Sequence, residues 1–173
     1  MSSPHANIFL VTVLSLIPWF ASANSYVGLD GASVNVENEL NDELSPSGAR
    51  LRFGIQLNEF LDFETHLGGG TDRQTESFDT FSATFAGAYL KAYLPVGRRT
   101  SVFGLAGVSG VRYTQRLDGR SFNASQSGIS YGVGLETRIS RRLDLSADFM
   151  RYTNDGAEFS ELSAVSLGIK WYF

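Results

Sequence analysis

Leu51, Phe53, Ile55 and Leu57 are apolar, and Arg52, Gly54 and Gln56 between them are small or polar. The same alternation runs through Leu61, Phe63, Thr65 and Leu67 against Asp62, Glu64, His66 and Gly68. It recurs in Ile129, Tyr131, Val133, Leu135 and Ile139 against Ser130, Gly132, Gly134, Glu136 and Arg138, and in Leu143, Leu145, Ala147 and Phe149 against Asp144, Ser146 and Asp148. It is cleanest at the end of the chain, where Val165, Leu167, Ile169, Trp171 and Phe173 alternate with Ala164, Ser166, Gly168, Lys170 and Tyr172. Successive side chains of a strand point to opposite faces, so a period of two predicts strands with one greasy face and one small or charged face. No sustained apolar stripe at helical spacing interrupts the pattern after residue 23.

Extending these anchors predicts eight strands, over 25–33, 48–58, 61–70, 82–94, 101–113, 127–139, 143–152 and 162–173. Three connections are short: Asn58-Glu59-Phe60, Pro95-Val96-Gly97-Arg98-Arg99 and Ser140-Arg141-Arg142. Four are longer and polar, at 34–47, 71–81, 114–126 and 153–161. Strict alternation of short and long connections is the layout of an antiparallel up-and-down barrel with tight turns at one rim and long loops at the other. In 82–94 the apolar residues fall on both parities, Phe85, Tyr89 and Tyr93 against Leu90 and Leu94, which suggests a register-shifting bulge. Val27 and Leu29 disagree in parity with Val34 and Val36, so the first strand is ended near Ser33.

Side-chain size decides which face looks outward. Eight strands enclose a bore just wide enough for side chains to fill. The small and charged face suits that bore, with Gly54, Gly68, Gly132, Gly134 and Gly168 leaving room for long partners, and the bulky uncharged face suits lipid. Aromatic belts at the two membrane interfaces are expected from Tyr26, Phe60, Phe63, Phe103, Trp171 and Phe173 at the short-turn end and from Tyr113, Tyr131, Phe149 and Tyr152 at the other. The bore would hold Asp30, Asp62, Glu64, Glu136, Asp144 and Asp148 against Arg50, Arg52, Lys91, Arg112, Arg138 and Lys170, with Arg50, Arg112 and Lys91 nearest the rims. Charges in so narrow a space must be paired, which predicts an interlocked ionic plug centred on Arg52, Asp62, Glu64, Glu136, Arg138, Asp144, Asp148 and Lys170.

Ile8 to Phe20 is a mostly apolar run too short to span a bilayer as a helix, followed by Ala21-Ser22-Ala23. A secretory signal peptide over 1–23, cleaved after Ala23, fits this pattern and leaves a barrel domain over 24–173. Charged residues make up only 18% of the chain, with a net charge of −4 and no basic run, which argues against a nucleic-acid partner. The absence of cysteine excludes disulfides and thiolate metal sites.

Candidate chemistry is sparse. His66 is the one histidine after residue 23, and no nucleophile-elbow motif accompanies it; the serines are read as clustering in loops. The carboxylate pairs Asp144/Asp148 and Asp62/Glu64 suit acid–base work by type, but neighbouring bases make salt bridges their default role. Gly68-Gly69-Gly70 lacks the Lys-Ser/Thr continuation of a phosphate loop. Glu37, Glu39, Asp42 and Glu43 match no calcium-loop spacing and read as a solvated acidic loop. Arg73, Arg116, Arg120 and Arg151 are placed where lipopolysaccharide phosphates could meet them. No catalytic residue, cofactor or metal is expected.

Val165-x-Leu167-x-Ile169-x-Trp171-x-Phe173, ending on an aromatic, resembles the last-strand signal that the barrel-assembly machinery reads in bacterial outer-membrane proteins. With Tyr26-Val27-Gly28-Leu29 and Gly132-Val133-Gly134, residues 24–173 are similar to the small OmpA/OmpX-type outer-membrane β-barrel family. The resemblance implies an outer-membrane location in a Gram-negative bacterium, contact with outer-membrane lipids and lipopolysaccharide, and insertion by that machinery. The expected function is non-enzymatic: envelope structure, or contact with a host or matrix ligand through the loops. A small porin-like diffusion channel is the alternative. A lipid A-modifying enzyme, which some small barrels resemble, and a soluble lipocalin-like carrier rank behind it.

Overall fold

The computed structural model describes residues 24–37, 43–44, 47–72, 80–117, 120–152 and 162–173, so the signal-peptide assignment lies outside the described residues. The elements are all strands: β1 (Ser25–Glu37), β2 (Glu43–Leu44), β3 (Ser47–Gln56), β4 (Leu61–Asp72), β5 (Thr80–Pro95), β6 (Thr100–Leu117), β7 (Arg120–Arg138), β8 (Leu143–Tyr152) and β9 (Leu162–Tyr172). β2 is a two-residue addition beside the end of β1, at Val36↔Leu44 and Glu37↔Glu43. The other eight form an antiparallel wall in chain order, and β1 returns to β9 from Tyr26↔Tyr172 to Val36↔Leu162. The cylinder is closed, which removes the unpaired strand edges that hydrocarbon would not tolerate.

The three short connections are tied alike. Leu57 and Asn58 donate their backbone N–H groups to the Leu61 carbonyl, Val96 and Gly97 to that of Thr100, and Ile139 and Ser140 to that of Leu143. The Asn58 side chain also accepts from the Phe60 N–H at 2.8 Å, as an asparagine in a turn does. Asn24 and Phe173 lie at this same end, bonded to Gln56 and Ser25.

Three expectations about the strands are corrected. β6 and β7 run 18 and 19 residues and pair out to Leu117↔Arg120, so most of the anticipated loop 114–126 is strand. Roughly 9–11 residues cross a bilayer. Beyond that height no lipid demands an apolar face, and backbone pairing continues without alternation in the sequence. β5 holds one unbroken register with both neighbours, with no bulge. Its apolar residues occupy both parities because Phe85, Tyr89 and Tyr93 turn into the bore while Leu90 and Leu94 face out. β1 continues in register to Glu37 rather than stopping near Ser33.

The outer face is apolar, with Leu29, Val108, Ile129, Val133, Leu167 and Ile169 exposed. Phe60, Phe63, Trp171 and Phe173 are exposed toward the short-turn end, and Tyr131 and Phe149 are exposed toward the other. Tyr26, Phe103 and Tyr152, expected in the belts, are instead buried inside the barrel. Glycines directly across on the neighbouring strand make space for two of these rings: a Cβ on Gly54 would collide with Tyr26, and one on Gly134 with Phe103. Side chains of Tyr113, Arg116 and Arg120, and all of Arg73, lie outside the described residues.

Candidate functional site: the charged interior

The inward parity of seven strands carries the ionisable residues to the axis. β1 supplies Asp30, β3 Arg50 and Arg52, and β4 Asp62, Glu64 and His66; β5 supplies Lys91, β7 Glu136, β8 Asp144 and Asp148, and β9 Lys170. All are buried, Arg50, Asp62, Glu64, His66, Lys91 and Lys170 completely.

Their contacts form a ladder along the bore. Arg50 forks onto Asp148, with Nη1 to Oδ1 at 3.1 Å and Nη2 to Oδ2, and gives its Nε to Asp30 at 2.8 Å. Asp30 also accepts from Arg52 Nη2 at 2.6 Å, and the same nitrogen reaches Ser146 Oγ at 2.5 Å. Arg52 Nη1 stands 4.0 Å from Glu64, which accepts from the Tyr26 hydroxyl at 2.5 Å, meets His66 Nε2 at 2.6 Å and faces Lys91 at 3.5 Å. Lys91 bridges to Glu136 at 3.0 Å, and Lys170 meets the other Glu136 oxygen at 2.6 Å. Lys170 touches Tyr93 Oη at 3.0 Å, and that hydroxyl donates to Asp62 at 2.6 Å. The ammonium groups also rest on rings: Lys91 lies 3.9 Å from the Phe103 centroid and Lys170 4.1 Å from that of Tyr26. Above the ladder, toward the long-loop end, Phe85, Val111, Met150 and Tyr152 belong to an apolar cluster, with the rings of Phe85 and Tyr152 5.0 Å apart.

Of the residues singled out from the sequence, Arg52, Asp62, Glu64, Glu136, Asp148 and Lys170 come together in this ladder. Asp144 sits just beside it, and Arg138 does not join. Its side chain is 59% exposed at the short-turn mouth, with Nε 3.5 Å from Asp144 Oδ1. Arg112 lies on the outer surface, while Arg50 and Lys91, expected near the rims, are fully buried. Among the described residues, six buried acids therefore face four buried cations and His66 rather than six bases. Sequence reading missed the hydroxyls of Tyr26, Tyr93 and Ser146. Each shares inward parity with a charged residue on its own strand: Asp30, Lys91 and Asp144/Asp148 respectively.

At the short-turn mouth a cavity of about 190 Å³ is lined by Tyr93, Arg98, Arg99, Glu136, Arg138 and Asp144, among others. His66 stacks on Tyr89 with ring centroids 4.4 Å apart, and among the described residues no serine hydroxyl bonds to it. The serines are not confined to loops: Ser109, Ser130, Ser146 and Ser166 line the bore. Among the described residues no group of three or more His, Asp or Glu is arranged to hold a metal. Val165, Leu167, Ile169, Trp171 and Phe173 are all exposed along the outer face of β9.

Solved structures similar to this one are small outer-membrane barrels. The Neisserial surface protein NspA aligns over 86% of this chain and 97% of its own, at 18% identity and a TM-score of 0.75. The attachment invasion locus protein Ail of Yersinia pestis aligns over 88% and 99%, at 15% identity and a TM-score of 0.68, and has also been solved with the heparin analogue sucrose octasulfate. The N-terminal β-barrel domain of Pseudomonas aeruginosa OprF aligns over 86% and 97%, at 10% identity and a TM-score of 0.64. At such identities the likeness is one of fold. No curated protein sequence matches. The model of the outer membrane protein beta-barrel domain matches residues 8–173, almost the whole chain, and the protein belongs to that outer-membrane family.

Proposed function

We propose that this protein is a non-enzymatic outer-membrane barrel whose bore is closed by its own side chains, and that it works through its membrane-embedded wall and its long-loop rim. The ladder from Asp148 through Arg50, Asp30, Arg52, Glu64, Lys91, Glu136 and Lys170 to Tyr93 and Asp62 carries this reading. Paired charges in a dry space hold each other firmly, because separating them leaves buried charge uncompensated. The apolar cluster of Phe85, Val111, Met150 and Tyr152 adds a second layer across the same passage. Such a barrel serves envelope structure or contact with a host surface or matrix. That Ail has been solved with a heparin analogue supports surface contact as a role this architecture admits. Export through residues 1–23, insertion by the barrel-assembly machinery reading β9, and contact of the outer wall with lipopolysaccharide belong to the same proposal.

The cavity at the short-turn mouth favours one alternative, a narrow diffusion path for small solutes. Planar-bilayer recording separates the two. The plugged barrel gives no large stable conductance, and a steady open level of porin-like size refutes the plug. A mature N-terminus at Asn24, read by mass spectrometry, is the result expected for the leader.

A further inference from the structure

Four arginines ring one side of the short-turn rim: Arg98 and Arg99 between β5 and β6, and Arg141 and Arg142 between β7 and β8. All four are exposed, and among the described residues none is in an ion pair. The third short turn, between β3 and β4, carries the opposite charge at Glu59, so the positive potential is concentrated on the β5–β8 side. The height of these arginines is fixed by their neighbours. Leu94 and Val96 precede the first pair and Ile139 precedes the second, each more than half exposed on the outer wall, and Phe173 ends at the same level. Each guanidinium therefore begins where the apolar wall stops, which is headgroup depth.

We infer that this arginine arc binds the phosphodiester headgroups of anionic phospholipids in the leaflet facing the short turns. A guanidinium forks two phosphate oxygens, and its aliphatic stem lies on apolar surface while the head reaches polar depth. The four groups are spread over two turns rather than converged on one pocket, which suits a layer of headgroups better than a single dissolved anion. Two of the four, Arg98 and Arg99, also line the mouth cavity, while Arg141 and Arg142 are not among its lining residues.

The test uses the full-length protein folded into nanodiscs of phosphatidylcholine containing a minority of phosphatidylglycerol, with the lipids that remain bound after gentle extraction counted by native mass spectrometry. Wild type retains phosphatidylglycerol preferentially, with up to about fivefold enrichment per engaged arginine. The R98Q/R99Q/R141Q/R142Q variant falls to near parity, as does wild type in half-molar salt, while the corresponding four-lysine variant keeps much of the preference. Heat-modifiable gel migration checks that each variant is folded. If the fourfold Gln variant does not fold, R98Q/R99Q and R141Q/R142Q are measured separately, and each loses part of the enrichment. Three results overturn the inference: no enrichment in wild type, equal enrichment in folded Gln variants, or displacement of the lipid by millimolar inorganic phosphate. Arginine-dependent pull-down on purified cell-wall polymer in lipid-free detergent, with no lipid preference in nanodiscs, overturns it in favour of a wall contact.

Discussion

Arg50 and Asp148 meet across the bore. Their strands, β3 and β8, are separated in the wall by β1 and β9, yet both terminal guanidinium nitrogens reach the two carboxylate oxygens. A forked pair of this kind adds direction as well as charge, and here it staples opposite walls of the cylinder.

Arg50→Ala leaves Asp148 buried without its cation, and Asp148→Ala leaves Arg50 buried with Asp30 alone. Arg50→Ala or Asp148→Ala is expected to destabilise the folded barrel by about 3–5 kcal/mol, measured as the shift of a reversible urea transition in lipid vesicles. Replacing both with leucine should cost less than Arg50→Ala, because Asp148 is no longer left over and Asp30 keeps Arg52. A double variant as damaged as the singles would show that packing, not charge, dominates there.

Tyr26 occupies the space that a side chain on Gly54 would fill, and its hydroxyl donates to Glu64. Gly54→Ala pushes the ring aside and weakens that bond. The expected loss is about 1–3 kcal/mol, with Tyr26→Phe costing less because the ring stays in place. Equilibrium unfolding of the two variants side by side gives the order.

Leu167 faces outward near the middle of β9 while its neighbour Ser166 is buried in the bore. A lysine at 167 stands in hydrocarbon and should cost about 2–4 kcal/mol in a bilayer. The same substitution in a soluble barrel with a wet exterior would be nearly free, so the free-energy change reports directly on which solvent covers that face.

His66 meets Glu64 through Nε2 and packs against Tyr89, and no serine hydroxyl among the described residues bonds to it. Deacylase or acyl-transfer chemistry would need a nucleophile within hydrogen-bond reach of the imidazole. The lipid A mass spectrum of cells expressing His66→Ala should equal that of cells expressing wild type, and a missing or added acyl chain in only one of them would reopen the enzymatic reading.

How legible the molecule was differs from strand to strand. In β3, β4, β7, β8 and β9 the outer face is bulky and the inner face small or charged, so period two marks both the strand and its orientation. β5 and β6 blur that signal, because the inner face also carries Phe85, Tyr89, Phe103 and Leu105 to fill the bore. The upper parts of β6 and β7 leave no signal, since beyond the bilayer nothing forces alternation. Which charges meet was less readable still. Strands of a closed barrel are staggered, so residues equally far from their turns stand at different heights. Arg50 and Lys91 look peripheral when counted along the chain and lie deep in the cylinder. Arg138 and Arg112 share the general pattern yet emerge at a mouth and on the outer wall.

Whether apolar side chains meet lipid while the ionised ones line the axis is reported most directly by Trp171. It is the sole tryptophan after residue 23, and it sits half-exposed on the outer face of β9. In vesicles, with the chain starting at Asn24, brominated acyl chains should quench its fluorescence strongly while aqueous acrylamide barely reaches it. Strong acrylamide quenching with no effect of the bromolipid would mean that this face is wet, and the membrane barrel described above would be wrong.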